Sequence, residues 1–202
     1  MKKIFVSIMF LALPMFMFAQ TLEGLEDVGQ LSEGLIAVKK NNKWGFIDTS
    51  NNQIIGFRED ISVENYHSRK MEPYPVFKNN RCLIKTTKDG IPFYGYIDAS
   101  GKTVIEPKFL NATNFNNGYA IAILVEKSVR GKNEYLNKEI ISYDFSEVVI
   151  DTEGNIVILL RELPKILMSQ KRFKKPYSAT HFLSEKQVAV ETGDGMMIVM
   201  LK

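Results

Sequence analysis

The sequence predicts an all-β fold, an array of antiparallel β-hairpin repeats. One pattern occurs three times, as Ile47-Asp48-Thr49-Ser50-Asn51, Ile97-Asp98-Ala99-Ser100-Gly101 and Ile150-Asp151-Thr152-Glu153-Gly154. Its Ile-Asp pairs start at 47, 97 and 150, so the spacing is 50 and then 53 residues. Periods of this size mark arrays in which a single unit cannot bury its own face. Each pattern also lies between β-branched and aromatic runs, which suit a pleated, half-buried surface.

Within a unit, the Asp opens a turn, because its short carboxylate accepts from backbone N–H groups two or three residues on. Gly101 and Gly154 then enter the left-handed region without a Cβ clash. Asn51 is the next most tolerant residue for that place. Gln53-Ile54-Ile55, Thr103-Val104-Ile105 and Asn155-Ile156-Val157 supply the return strands. An earlier element precedes each hairpin: Leu31 to Val38, Phe77 to Ile84, Phe115 to Ala122, and a partial copy from Phe182 to Val190. The units fall at about 31–57, 77–109 and 115–160, with a partial one at 182–201.

These motifs resemble the WG-repeat proteins of bacteria. Their units pair a Phe-x-x-Gly-Leu-Ala-x-Val strand with a Trp-Gly-x-Ile-Asp-x-x-Gly hairpin. The first unit keeps Trp44-Gly45, the second has Tyr94-Gly95, and the third has Glu147-Val148 in that place. The resemblance implies an all-β repeat domain, exported or surface-associated. It implies no enzyme activity, since the motif residues have structural roles. Propeller, barrel and open-solenoid closures all fit the pattern.

Lys2-Lys3 followed by a nearly unbroken apolar run from Ile4 to Phe18, and the small Ala19, read as a secretory signal peptide over 1–19 cleaved near Ala19. The run is shorter than a membrane-spanning helix needs and contains Pro14. Residues 20–202 then form one domain, and no membrane span is expected after cleavage. The whole chain has 26 Lys and Arg against 23 Asp and Glu, a formal charge of +3. Losing Lys2 and Lys3 leaves 24 against 23, or +1, which gives no general attraction to nucleic acid. Cys82, the only cysteine, sits in a strand pattern and reads as a buried small hydrophobe.

Three insertions interrupt the period, at 58–76, 126–139 and 161–180. The first reads as a surface loop carrying His67. The second reads as the outer part of an extended hairpin with its tip near Gly131, either a recognition loop or a tolerated insertion. In the third, Glu162 to Phe173 has helical spacing at Leu163, Ile166, Leu167 and Gln170, with Pro164 in the first turn. It leads into the basic, aromatic cluster Lys171 to Tyr177, a solvated connector or a seat for an anionic polymer. Met196 to Leu201 reads as a buried strand.

No catalytic constellation, metal set or cofactor motif emerges. Asp48, Asp98 and Asp151 occupy equivalent turns, so the turn explains them. The candidate binding residues are the rings of one strand face: Trp44 and Phe46 in the first unit, Tyr94 and Tyr96 in the second. Glu147 at the third unit's Trp44 place suggests that this face is wet at one end. The rings either pack between units or stack on a ligand. The expected function is a non-enzymatic, exported binding module for a protein or a cell-envelope glycan. The alternatives are an envelope-polymer hydrolase, which would need His67, His181 and a carboxylate to converge, and a scaffold with no ligand.

Overall fold

The computed structural model describes residues 22–201, so the expected signal segment and its cleavage point at Ala19 lie outside the described residues. These residues form strands and irregular segments, all of the sheets being antiparallel. The first sheet is β1 (Asp27–Ser32), β2 (Leu35–Lys40), β3 (Lys43–Ile47) and β4 (Gln53–Arg58). The second is a six-stranded meander: β5 (Cys82–Lys88), β6 (Ile91–Ile97), β7 (Thr103–Ala112), β8 (Tyr119–Asn133), β9 (Lys138–Asp151) and β10 (Ile156–Glu162). The third is β11 (His181–Ser184), β12 (Gln187–Thr192) and β13 (Gly195–Met200). Each sheet is an open meander with two edges; none closes into a barrel.

The three aspartate bends are copies of one backbone shape. Asn51, Gly101 and Gly154 have φ of 64°, 83° and 83°. Their N–H groups donate to the carbonyls of Asp48, Asp98 and Asp151 at 3.1, 2.9 and 3.0 Å. Each Asp Oδ1 also accepts two further backbone N–H groups, for example Ser50 and Asn52 at 2.8 Å each on Asp48. These bonds favour the charged carboxylate, so all three aspartates ionise below their usual range. For Asp48 and Asp98 a side-chain bond, from Asn52 and Ser100, is the main cause. For Asp151 burial pushes upward most, but the bonds from Asn155, Glu153 and Gly154 together outweigh it.

The glycine in the Trp-Gly place has a steric reason. A Cβ on Gly95 would run into Ile105 O, and would lie 2.7 Å from Pro107 N. On Gly45 it would lie 2.8 Å from Ile55 O. The return strand bulges across this residue: Phe46 pairs with Ile55 but Trp44 with Arg58, and Tyr96 pairs with Ile105 but Tyr94 with Phe109. The third unit has Val148 there, which the return strand does not skip. Val148 pairs directly with Leu159, with breaks between Ile156 and Ile158 and between Leu159 and Arg161.

Successive units contact one another through repeated devices. Phe46 meets Phe77 of the next unit edge-on at 4.7 Å, and Tyr96 meets Phe115 at 4.8 Å. Arg58 Nη1 donates to Gly101 O at 2.7 Å, and Lys108, ten residues after Asp98 as Arg58 is after Asp48, donates to Gly154 O at 3.4 Å. The tight turns before each unit are linked too: Glu33 accepts from Asn79 N and Asn80 N at 2.6 and 2.7 Å, and Asn79 Oδ1 accepts from Gly118 N at 2.9 Å. Contacts only between neighbours are the energetic signature of a repeat array. The core follows the same order, with one apolar cluster joining β2–β4 to β5 and β6, one inside the middle sheet, and one joining the middle sheet to β12. Cys82 is fully buried in the first of these.

Three expectations are corrected. Residues 163–180 form no helix; they run as an irregular strap whose Leu163, Ile166, Met168 and Phe173 pack on the core. A helix this short is marginal alone, and the extended path lets its apolar residues spread over the sheet. The long hairpin exists, but its turn is at 134–137; Gly131 marks an irregularity of register within β8. Met196 to Met200 form a strand that is mostly exposed: it is an edge, paired only with β12 among the described residues, and only Leu201 is buried.

Candidate functional site

The insertions at 58–76 and 161–180, a hundred residues apart in sequence, meet over the middle sheet. Two polar nodes hold them there. The first is centred on Glu147 of β9, whose side chain is 0% exposed. It accepts from Tyr66 Oη, from Arg161 Nε at 2.6 Å and from Thr180 Oγ1 at 2.9 Å. Arg161 Nη2 also donates to Ser178 Oγ at 2.9 Å and approaches Glu191 Oε2 at 3.2 Å. Glu191 ionises below its usual range, chiefly through the Ala179 N–H, helped by Ser178 and Arg161. Burial and the Glu147 carboxylate both hold the Tyr66 phenol protonated. Asn111 Nδ2 ties the insertions directly, donating to Tyr66 O at 2.9 Å and Pro176 O at 2.7 Å.

The second node is Glu64. It receives Lys85 Nζ at 2.5 Å, Lys175 Nζ at 2.9 Å and the Tyr94 hydroxyl. Lys175 also lies over the Tyr94 ring, 4.6 Å from its centroid. Burial alone would raise the Glu64 pKa, but these donors outweigh it and bring it down to about 2. A carboxyl depressed in the folded state contributes stability that is present above its unfolded pKa and lost as pH falls towards the folded one. Stability should therefore drop by about 2–3 kcal/mol between the ordinary glutamate range and pH near 2 on account of this group. Urea midpoints measured across that range will show a shallower fall in Glu64→Gln than in the wild type.

The predicted ring face is covered. Trp44, Phe46, Tyr94 and Tyr96 are 7%, 1%, 0% and 0% exposed. Phe46 and Tyr96 pack edge-on against the next unit, and Tyr96 Oη donates to Thr113 O at 2.6 Å. Tyr94 lies beneath Lys175 and Glu64. The rings therefore form no exposed strip. Glu147 is likewise dry, since Tyr66 and the strap cover it. The sequence signal missed was the coincidence of a lone acid at an aromatic position with Arg161 in the neighbouring strand.

The two histidines are tethered to adjacent residues of the strap: His67 Nδ1 donates to Ser178 O at 2.9 Å and His181 Nδ1 to Ala179 O at 2.7 Å. Among the described residues neither ring is hydrogen-bonded to a carboxylate, and no group of three His, Cys, Asp or Glu is placed to hold a metal ion. A cleft of about 590 Å³ opens beside the first node, lined by Arg161, Glu191, Leu163, Ile166, Pro176 and Tyr177 among others.

A family model described as the WG containing repeat matches residues 25–44 and 94–124. Two stretches of the chain thus match the WG containing repeat. The matched stretches take in β1 and β2 with the Lys43-Trp44 start of β3, and the Tyr94-Gly95 hairpin through to β8. Comparison with curated proteins and with solved structures finds no match. The insertions at 58–76, 126–139 and 161–180 lie outside the matched stretches.

One insertion extends past the other strands of its sheet. The last β8 residue paired with β7 is Leu124, and the last β9 residue paired with β10 is Ser146. From Glu126 and Asp144 outward, β8 and β9 pair only with each other. This arm exposes Val129 and Ile141, directly opposite one another, and Ile140, with Leu136 and the fully exposed Tyr135 at the turn. No helix among the described residues is long and apolar enough to cross a membrane.

Proposed function

We propose that the protein is an exported, non-catalytic interaction module. Its WG repeats form the scaffold, and the β8–β9 arm is the part that grips a partner protein. The observation that carries this reading is the arm's exposed apolar set, Tyr135 and Leu136 at the tip with Val129, Ile140 and Ile141 on the stalk. A two-stranded hairpin is marginal in water by itself. Exposed apolar residues gathered on a projecting element mark contact surfaces, and tyrosine is favoured as an anchor at the centre of such contacts. A protein suits this surface better than a glycan, because the buried rings that would have stacked on sugars are unavailable. The tethered histidines and the turn-bound aspartates have structural work to do, which favours binding over hydrolysis. The signal-like N-terminus supports export, with a protein of the cell envelope as the partner.

The test is cross-linking capture from envelope fractions, comparing wild type with Tyr135→Ala/Leu136→Ala. A partner retained by the wild type should be lost from the double variant, whose thermal unfolding should be unchanged because neither side chain packs on the core. Equal capture by both would sink the proposal, and capture of polysaccharide in place of protein would redirect it to a glycan.

A further inference from the structure

We infer that the cleft beside the Glu147 node is a small-molecule site, built to take a zwitterionic α-amino acid with an apolar side chain. None of the residues lining it belongs to the outer part of the β8–β9 arm, so the site stands apart from the role given to the arm. Arg161 supplies one half of it. Its Nε donates to Glu147 at 2.6 Å, and its Nη2 to Ser178 Oγ and Glu191 Oε2 at 2.9 and 3.2 Å. A guanidinium holds its N–H donors in one plane. Nε and Nη2 share the edge turned to these partners, and Nη1 lies beyond that edge. Among the described residues Nη1 has no hydrogen-bond partner, and the side chain is not fully covered. Glu191 supplies the other half. Its Oε2 accepts from Arg161, from Ser178 Oγ at 3.2 Å and from Ala179 N at 3.1 Å, while its Oε1 accepts from no described residue. Both side chains line the cleft, so its wall presents unused N–H donors beside an unused carboxylate oxygen.

An α-amino acid carries its carboxylate and its ammonium on one carbon. A guanidinium and a carboxylate already in contact can meet both at once. Ligands of a single sign fit worse. A simple carboxylate would face Glu162 as well as Glu191, and a simple amine would set its charge against Arg161. The rest of the wall is apolar, with Leu163 and Ile166 from the strap and Pro176 and Tyr177 from its far end. Ligand sites have this make-up, mostly apolar with a few converging polar groups, and a space of about 590 Å³ falls within their usual range. Gly193 lines the opposite side, in the turn between β12 and β13. A Cβ added there meets nothing within 4 Å, so a large side chain at this position can fill the cleft without moving the backbone.

Titration of the isotope-labelled protein with L-phenylalanine, followed by NMR, tests the site. Saturable shifts should gather at the Arg161 Nε–H and at the Thr192 and Gly193 amides, with a dissociation constant of about 1 mM. N-acetyl-L-phenylalanine lacks the ammonium, phenethylamine lacks the carboxylate, and free glycine lacks the apolar group. Each should bind at least tenfold more weakly. Gly193→Trp should lose binding with unchanged circular dichroism. Absence of saturable shifts up to about 20 mM L-phenylalanine would overturn the inference. So would shifts centred elsewhere, a control ligand that binds as well as L-phenylalanine, or a folded Gly193→Trp variant that binds like wild type. If that variant does not fold, the control ligands on the wild type decide alone.

Discussion

Gly95→Ala is expected to destabilise the protein by about 3 kcal/mol, a large value for the addition of one methyl group. The new Cβ would meet Ile105 O and Pro107 N, which are backbone atoms of the return strand and cannot rotate aside. Relief requires the bulge opposite Gly95 to move, and Tyr96 and Phe109, both fully buried, would move with it. Gly56→Ala is the control. A Cβ there meets nothing within 4 Å, so its effect should stay within about 0.5 kcal/mol. Urea unfolding with a lowered midpoint and an unchanged slope for Gly95→Ala, and no shift for Gly56→Ala, would match this account. The third unit carries Val148 in this place, and there the residue pairs directly with Leu159 of the return strand instead of being skipped by it.

Arg161→Met should be nearly as damaging. It removes the cation from Glu147, whose carboxylate is fully buried, and leaves Tyr66 and Thr180 as its remaining partners. Stripping one member from a buried ion pair costs about 3–5 kcal/mol, while replacing both members is far milder. The double variant Glu147→Gln/Arg161→Met should therefore be more stable than Arg161→Met alone, and the cycle should show strong non-additivity. The same substitution unties Ser178, so the strap at 163–180 should become the first site cut in limited proteolysis. An additive cycle, or an uncut strap, would mean that the node does not hold the insertions.

Arg161 also shows why the sequence was legible only in part. Ten residues after each bend aspartate stands a cation, Arg58, Lys108 and Arg161. The first two reach the next unit's bend glycine, as a repeat predicts. Arg161 is instead engaged by Glu147, Ser178 and Glu191, a long-range arrangement with no periodic trace. The bends, the antiparallel hairpins and the burial of Cys82 followed from local patterns, since a turn is decided by a few adjacent residues. The strap and the exposure of β13 did not. Leu163, Ile166 and Leu167 have helical spacing, but whether an apolar residue lies on a helix face or an extended strap depends on the surface it meets. Trp44, Phe46, Tyr94 and Tyr96 illustrate the same limit: strand alternation placed them on one face correctly, and only the neighbouring unit and Lys175 decided that the face is dry.

The claim on which the fold rests is that one bend recurs with one stacking rule. Backbone assignment of the isotope-labelled protein by NMR tests it directly. Asn51, Gly101 and Gly154 should all report positive φ, with cross-strand contacts from Phe46 to Ile55 and from Tyr96 to Ile105, and with Arg58 near Gly101. A negative φ at any of the three, or helical shifts through these segments, would contradict it.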